Sequence, residues 1–101
     1  MKVVQSEQFK LWLARLRDHQ ARGRIVNRVM LLREGHLGDV RPVGSGLGEL
    51  RVHGGPGYRI YCWLKGQEMI LLLVGGDKSS QTRDIGKARD ILADWEDHHG
   101  N

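Results

Sequence analysis

Cysteine is almost absent from this chain: Cys62 is the one residue of its kind among 101. No intrachain disulfide can form, and no cysteine-based zinc site is available. Such usage fits a reducing compartment. Proline is nearly as scarce, at Pro42 and Pro56 only. Long hydrophobic runs are missing as well. The longest spans Met69–Val74, a strand's length, which cannot cross a bilayer. Near the N-terminus the Val3–Val4 pair gives way at once to Gln5, Ser6, Glu7 and Gln8, too short a stretch for a signal-peptide core. A cytoplasmic protein with no membrane segment is the expectation.

Ligand spacing is missing from the five histidines, His19, His36, His53, His98 and His99, so no metal site is expected. Gly44-x-Gly46-x-Gly48 is not a dinucleotide fingerprint, because a strand follows it where a helix should open. Gly76-Asp77-Lys78-Ser79 echoes the end of a phosphate-binding loop, but Asp77 intrudes and the upstream glycine is out of place. No cofactor is expected.

What remains is a globular composition: 40% hydrophobic, 28% charged, net charge +4. Its length suits one domain spanning residues 1–101. The basic excess favours a polyanionic partner and speeds encounter with it.

Periodicity supplies the elements. Lys2–Gln5 reads as a strand, and Ser6 as the cap of a helix whose stripe is Phe9, Trp12, Leu13 and Leu16. A break is expected near His19–Gly23. A second helix then sets Ile25, Val29 and Leu32 on one face and stops at Gly35. Arg15, Arg22, Arg24, Arg28 and Arg33 fall on the opposite faces and read mostly as a solvated basic surface. The glycine-rich stretch from His36 reads as a turn-rich connection until the strand Glu49–His53. Gly54-Gly55-Pro56-Gly57 turns the chain into an antiparallel strand, Tyr58–Lys65. Met69–Val74 is apolar on both faces, as a covered central strand requires. Ser79 or Ser80 caps a last helix lined by Ile85, Ala88, Leu92 and Trp95, and His98–Asn101 reads as a frayed tail. The predicted fold is α+β, βααβββα, with a mostly antiparallel sheet and helices mainly packed on one face.

Strand alternation sends Tyr58, Ile60, Cys62 and Leu64 to the core and Arg59, Tyr61, Trp63 and Lys65 the other way. Cys62 then reads as a small core hydrophobe. Arg51, His53, Arg59, Tyr61 and Lys78 can share the second face and converge on a phosphate. Tyr61 and Trp63 offer flat faces for an unstacked base. An open sheet face is polar in any case and arginine is ordinary there, so both readings stand on charge and spacing.

Four strings then carry a resemblance: Leu37-Gly38-Asp39-Val40-Arg41-Pro42-Val43-Gly44, Glu49-Leu50-Arg51-Val52, Gly55-Pro56-Gly57-Tyr58-Arg59-Ile60-Tyr61 and Gly75-Gly76-Asp77-Lys78-Ser79-Ser80. In order and over nearly the whole chain they resemble the addiction module killer protein branch of HigB-like toxins, in the RelE/ParE superfamily. The resemblance implies a type II toxin neutralised by a cognate helix-turn-helix antitoxin, with DNA met only through that antitoxin. It implies a metal-independent endoribonuclease that cuts messenger RNA on the ribosome. Arg51, Arg59 and Lys78 correspond to the positions that act at the scissile phosphate, with His53 a neighbouring basic position; Arg41, Tyr61 and Trp63 are the expected RNA contacts. His53 is the natural titrating group, with Lys78 and Asp77 as alternatives. The catalytic tyrosine that RelE itself carries in its C-terminal helix has no counterpart, since no tyrosine follows Tyr61. Either Tyr61 stands in or a His/Asp mode applies. The alternative within the superfamily is a ParE-like, non-enzymatic inhibitor of DNA gyrase.

Overall fold

The computed structural model describes residues 1–99. Its elements are β1 (Lys2–Gln5), α1 (Glu7–Arg15), α2 (His19–Arg33), β2 (Arg41–Gly44), β3 (Leu47–Val52), β4 (Tyr58–Lys65), β5 (Met69–Gly76), a 3-10 turn (Lys78–Ser80) and α3 (Gln81–His99). The strands form one sheet in the order β1-β5-β4-β3-β2. β1 lies parallel to β5 and every other neighbour is antiparallel. The expected α+β, mostly antiparallel architecture is present. No helix among the described residues is long and apolar enough to cross a membrane.

One strand was not anticipated. β2 forms within the segment read as a turn-rich connection, because Gly44, Ser45 and Gly46 adopt positive φ (93°, 56° and 76°) and fold the chain back onto β3. Pro42 is tolerated there since β2 is an edge strand with one side free of ladder bonds.

Helix ends follow local chemistry. The Ser6 hydroxyl accepts from the Phe9 N–H at 2.9 Å and caps α1. The break to α2 comes earlier than His19–Gly23: α1 ends at Arg15, and Asp18 caps α2 by accepting from the Ala21 N–H at 3.0 Å. A side-chain cap outweighs the modest helix penalty of Gly23, which sits inside α2. Gly35, at φ 91°, closes α2: its N–H donates to Leu32 and that of His36 to Leu31, the paired bonds of a Schellman end. Asp77, not Ser79 or Ser80, caps the start of the last helical segment, because its carboxylate accepts from both the N–H and the hydroxyl of Ser79. His98 and His99 form the last turn of α3 instead of a frayed tail; Gly100 and Asn101 lie outside the described residues.

The sheet is buried on both faces. α1 and α2 bring Phe9, Ile25, Val29 and Leu32 onto Leu50, Ile60, Cys62, Ile70 and Leu72. α3 covers the other face, where Ala88 and Leu92 meet Leu47, Tyr61, Leu71, Leu73 and Val74. A bulge between Tyr61 and Cys62 shifts the β4–β5 register, so that Leu73 and Val74 both join the α3 side. At the end of β5 the helices approach the backbone closely. A Cβ on Gly75 would overlap the Trp12 ring, and one on Gly76 the Asp84 carboxylate.

Candidate functional site

On the α3 face the ladder sets side chains in rows. Arg41 pairs with Glu49, Glu49 with Tyr61 and Tyr61 with Val74; the next row is Arg51, Arg59 and Gly76. Like charges directly opposite each other repel, so the Arg51–Arg59 pairing needs a counter-charge. Glu49 supplies it. Its side chain is 1% exposed, with Oε1 accepting from Arg51 Nε at 3.3 Å and Oε2 lying 3.5 Å from Arg59 Nε. Gln81, the first residue of α3, donates to Oε2 at 3.1 Å. A buried carboxylate is tolerated only when paired and hydrogen-bonded in this way.

The two arginines differ in access. The Arg59 side chain is 9% exposed, while that of Arg51 is 42% exposed. Arg59 also donates to the Gly57 carbonyl at 3.1 Å. Lys78 reaches the same corner: a Cβ on Gly57 would lie 3.8 Å from both Arg59 Nη1 and Lys78 Cβ. The structure thus brings together Arg51, Arg59 and Lys78, three of the four predicted catalytic residues. His53 is exposed just beyond β3 and has no hydrogen bond or ion pair among the described residues. A concavity of about 600 Å³ opens beside Lys78 at the start of α3 and includes Gln81 and Arg83.

The predicted RNA-contacting residues fare differently. Tyr61 is fully buried beneath α3, so no base can stack on it and it cannot stand in for a catalytic tyrosine. Alternation placed it on the second face correctly, but that face is itself a core. Burial, helped by the Glu49 charge, pushes the Tyr61 phenol up to about 12, against a partial lowering by Arg59 and the neighbouring Gln81 side chain. Trp63 is half-buried against Trp95, ring centres 5.9 Å apart, and Trp95 stacks on His99 at 4.2 Å. Arg41 is exposed on the edge strand. Asp77 is engaged as a cap, and its Ser79 bonds hold its carboxyl below the usual value.

Two features escaped the pattern. A groove of about 710 Å³ runs between α1 and α3 over Gly75 and Gly76, walled by Trp12 and Tyr58 and rimmed by Arg15 and Lys87. Burial, then Asp18 and Asp77, raise the Tyr58 phenol. Within α2, Arg22 is structural, donating to Ala14 at 3.0 Å and Leu16 at 2.6 Å, and so finishing α1. Arg28 ties down the following loop through the Asp39 carbonyl at 3.4 Å.

No family model matches the chain. An uncharacterized protein of Haemophilus influenzae is 40% identical over 81 residues, which span 80% of this chain and 82% of that one. The solution structure of the conserved hypothetical protein HP0894 from Helicobacter pylori aligns with a TM-score of 0.48 at 21% identity, over 78% of this chain and 96% of that one. The chain belongs to the family of the Haemophilus influenzae protein.

Proposed function

We propose that the protein is the toxin of a type II toxin–antitoxin pair, of the HigB-like branch of the RelE/ParE superfamily. In this reading it is a cytoplasmic, ribosome-dependent endoribonuclease that a helix-turn-helix antitoxin neutralises. The observation that carries it is the pairing of Arg51 and Arg59 on one buried carboxylate, with Lys78 at the adjoining corner. Two guanidinium groups share the one Glu49 carboxylate, and Arg51 carries the surplus charge to the surface, a setting in which a phosphodiester is bound.

The reaction is transesterification within the RNA. The ribose 2′-oxygen attacks the adjacent phosphorus, the bond to the 5′-oxygen breaks, and a 2′,3′-cyclic phosphate and a 5′-hydroxyl result. The 2′-proton leaves to a base and the 5′-oxygen receives one from an acid. Arginine stays protonated, so Arg51 and Arg59 stabilise the charge growing on the phosphoryl oxygens. His53, whose ring nitrogens make no hydrogen bond among the described residues, is the proton carrier in this scheme. Burial of Tyr61 favours the His/Asp mode over a stand-in tyrosine.

A ParE-like inhibitor of DNA gyrase is the second reading. It is favoured by apolar side chains exposed on the helices, Leu11 at 50%, Val26 at 42% and Met30 at 54%, which a protein partner would cover. Expression without antitoxin separates the two. Growth arrest with broken messages supports the nuclease, and arrest with a DNA-damage response and intact messages supports the gyrase inhibitor.

A further inference from the structure

Glu49 stands at the centre of the cluster yet cannot reach a substrate, because both its oxygens are occupied. Oε1 holds Arg51 from β3, and Oε2 faces Arg59 from β4 and accepts from Gln81 of α3. Three elements therefore meet on one carboxylate. Without it, two guanidinium groups in the same ladder row would move apart. With it, Arg51 is anchored through Nε alone and makes no other hydrogen bond among the described residues. Its Nη groups are left to meet an anion, from a side chain tethered by that one bond.

We propose that Glu49 is the positioning residue of the arginine pair, setting the spacing of Arg51 and Arg59 so that both address one phosphodiester, and that Gln81 locks this arrangement to the start of α3. Glu49 acts on the substrate only through the arginines. The functional half of this inference rests on the ribonuclease reading, whereas the geometric half does not.

The test uses the full chain in three variants: Glu49→Gln, Arg51→Ala and both together. Arginine side-chain NMR of the free protein reads the geometry. In wild type the Nε–H signals of Arg51 and Arg59 are resolved and protected from solvent exchange; in Glu49→Gln the Arg51 signal loses that protection while the backbone spectrum stays folded. Cleavage of messenger on programmed ribosomes reads the consequence. Glu49→Gln lowers the cleavage rate by about tenfold or more, the scale of one lost charge-assisted contact, with ribosome affinity unchanged. The double variant loses less than the product of the two single losses, since coupled residues are not additive. Retained Arg51 protection in Glu49→Gln, or losses that simply multiply, overturns the inference. Should Glu49→Gln not fold, Gln81→Ala keeps Glu49 and both arginines and removes one bond. It gives partial loss of Arg51 protection if the inference holds and none if it does not. A wild-type protein that cuts no message sinks the ribonuclease reading, and the NMR arm still decides the role of Glu49.

Discussion

Arg51 and Arg59 face each other across the β3–β4 ladder, and their shared tether to Glu49 makes them unequal. The Arg59 side chain is buried with its partner, while Arg51 is 42% exposed. Arg59→Ala leaves a buried carboxylate short of a counter-ion and destabilises the fold by about 3–5 kcal/mol. Arg51→Ala breaks a half-exposed pair and costs about 1 kcal/mol or less. Urea denaturation of both variants checks the difference. Equal losses would mean that Glu49 does not need Arg59. Arg51 is accordingly the cleaner reporter of site chemistry, since its loss spares the fold.

Glycines divide by what surrounds them. Ala at Gly75 or Gly76 drives a methyl into Trp12 or into the Asp84 carboxylate, and each costs about 1–3 kcal/mol, as overpacking does. Gly23 and Gly86 lie within α2 and α3, with no heavy atom within 4 Å of the Cβ position among the described residues. Ala at either stabilises by about 1 kcal/mol. Thermal melts of the four single variants should move in opposite directions by pairs.

Burial pushes the Cys62 thiol up to about 12, against a partial lowering by Arg28. The thiolate needed for reaction is then scarce at neutral pH. A native sample at pH 8 should resist alkylation until urea is added. Fast native labelling would contradict the packing of β4 against α2.

Tyr61 gives the alkaline limit its sign. Its phenol pKa rises from 10.0 to about 12 on folding, so the neutral form is favoured in the native state. That stabilisation is fully present below pH 10 and is lost as pH rises through about 12, because the unfolded chain releases its proton first. Tyr58 and Cys62 shift in the same direction and share the slope. Tyr61→Phe should flatten part of the fall in denaturation midpoint above pH 10, and an unchanged slope would argue against burial of its hydroxyl.

Much of this was legible in the chain. Alternation along β4 sorted Ile60 and Cys62 from Tyr61 and Trp63 correctly, and the Ile85–Ala88–Leu92–Trp95 spacing defined the packed stripe of α3. The same alternation says which face a side chain takes but not what covers it. Tyr61 was therefore read as open when α3 lies on it. Nor does alternation reveal the burial of Glu49, which depends on Arg59 and Gln81, residues 10 and 32 positions away. β2 was hidden because Pro42 and the glycines beside it signal turns, and an edge strand accepts both. The arginine cluster was visible as a face of the sheet; the carboxylate that holds it was not.

The most direct measurement is a map of new 5′ ends across cellular messenger RNA after induction without antitoxin, for wild type and Arg51→Ala side by side. The ribonuclease account predicts 5′-hydroxyl ends inside translated frames in wild type and their loss in a folded Arg51→Ala protein. Growth arrest with unbroken messages, or equal cutting by the variant, would contradict it.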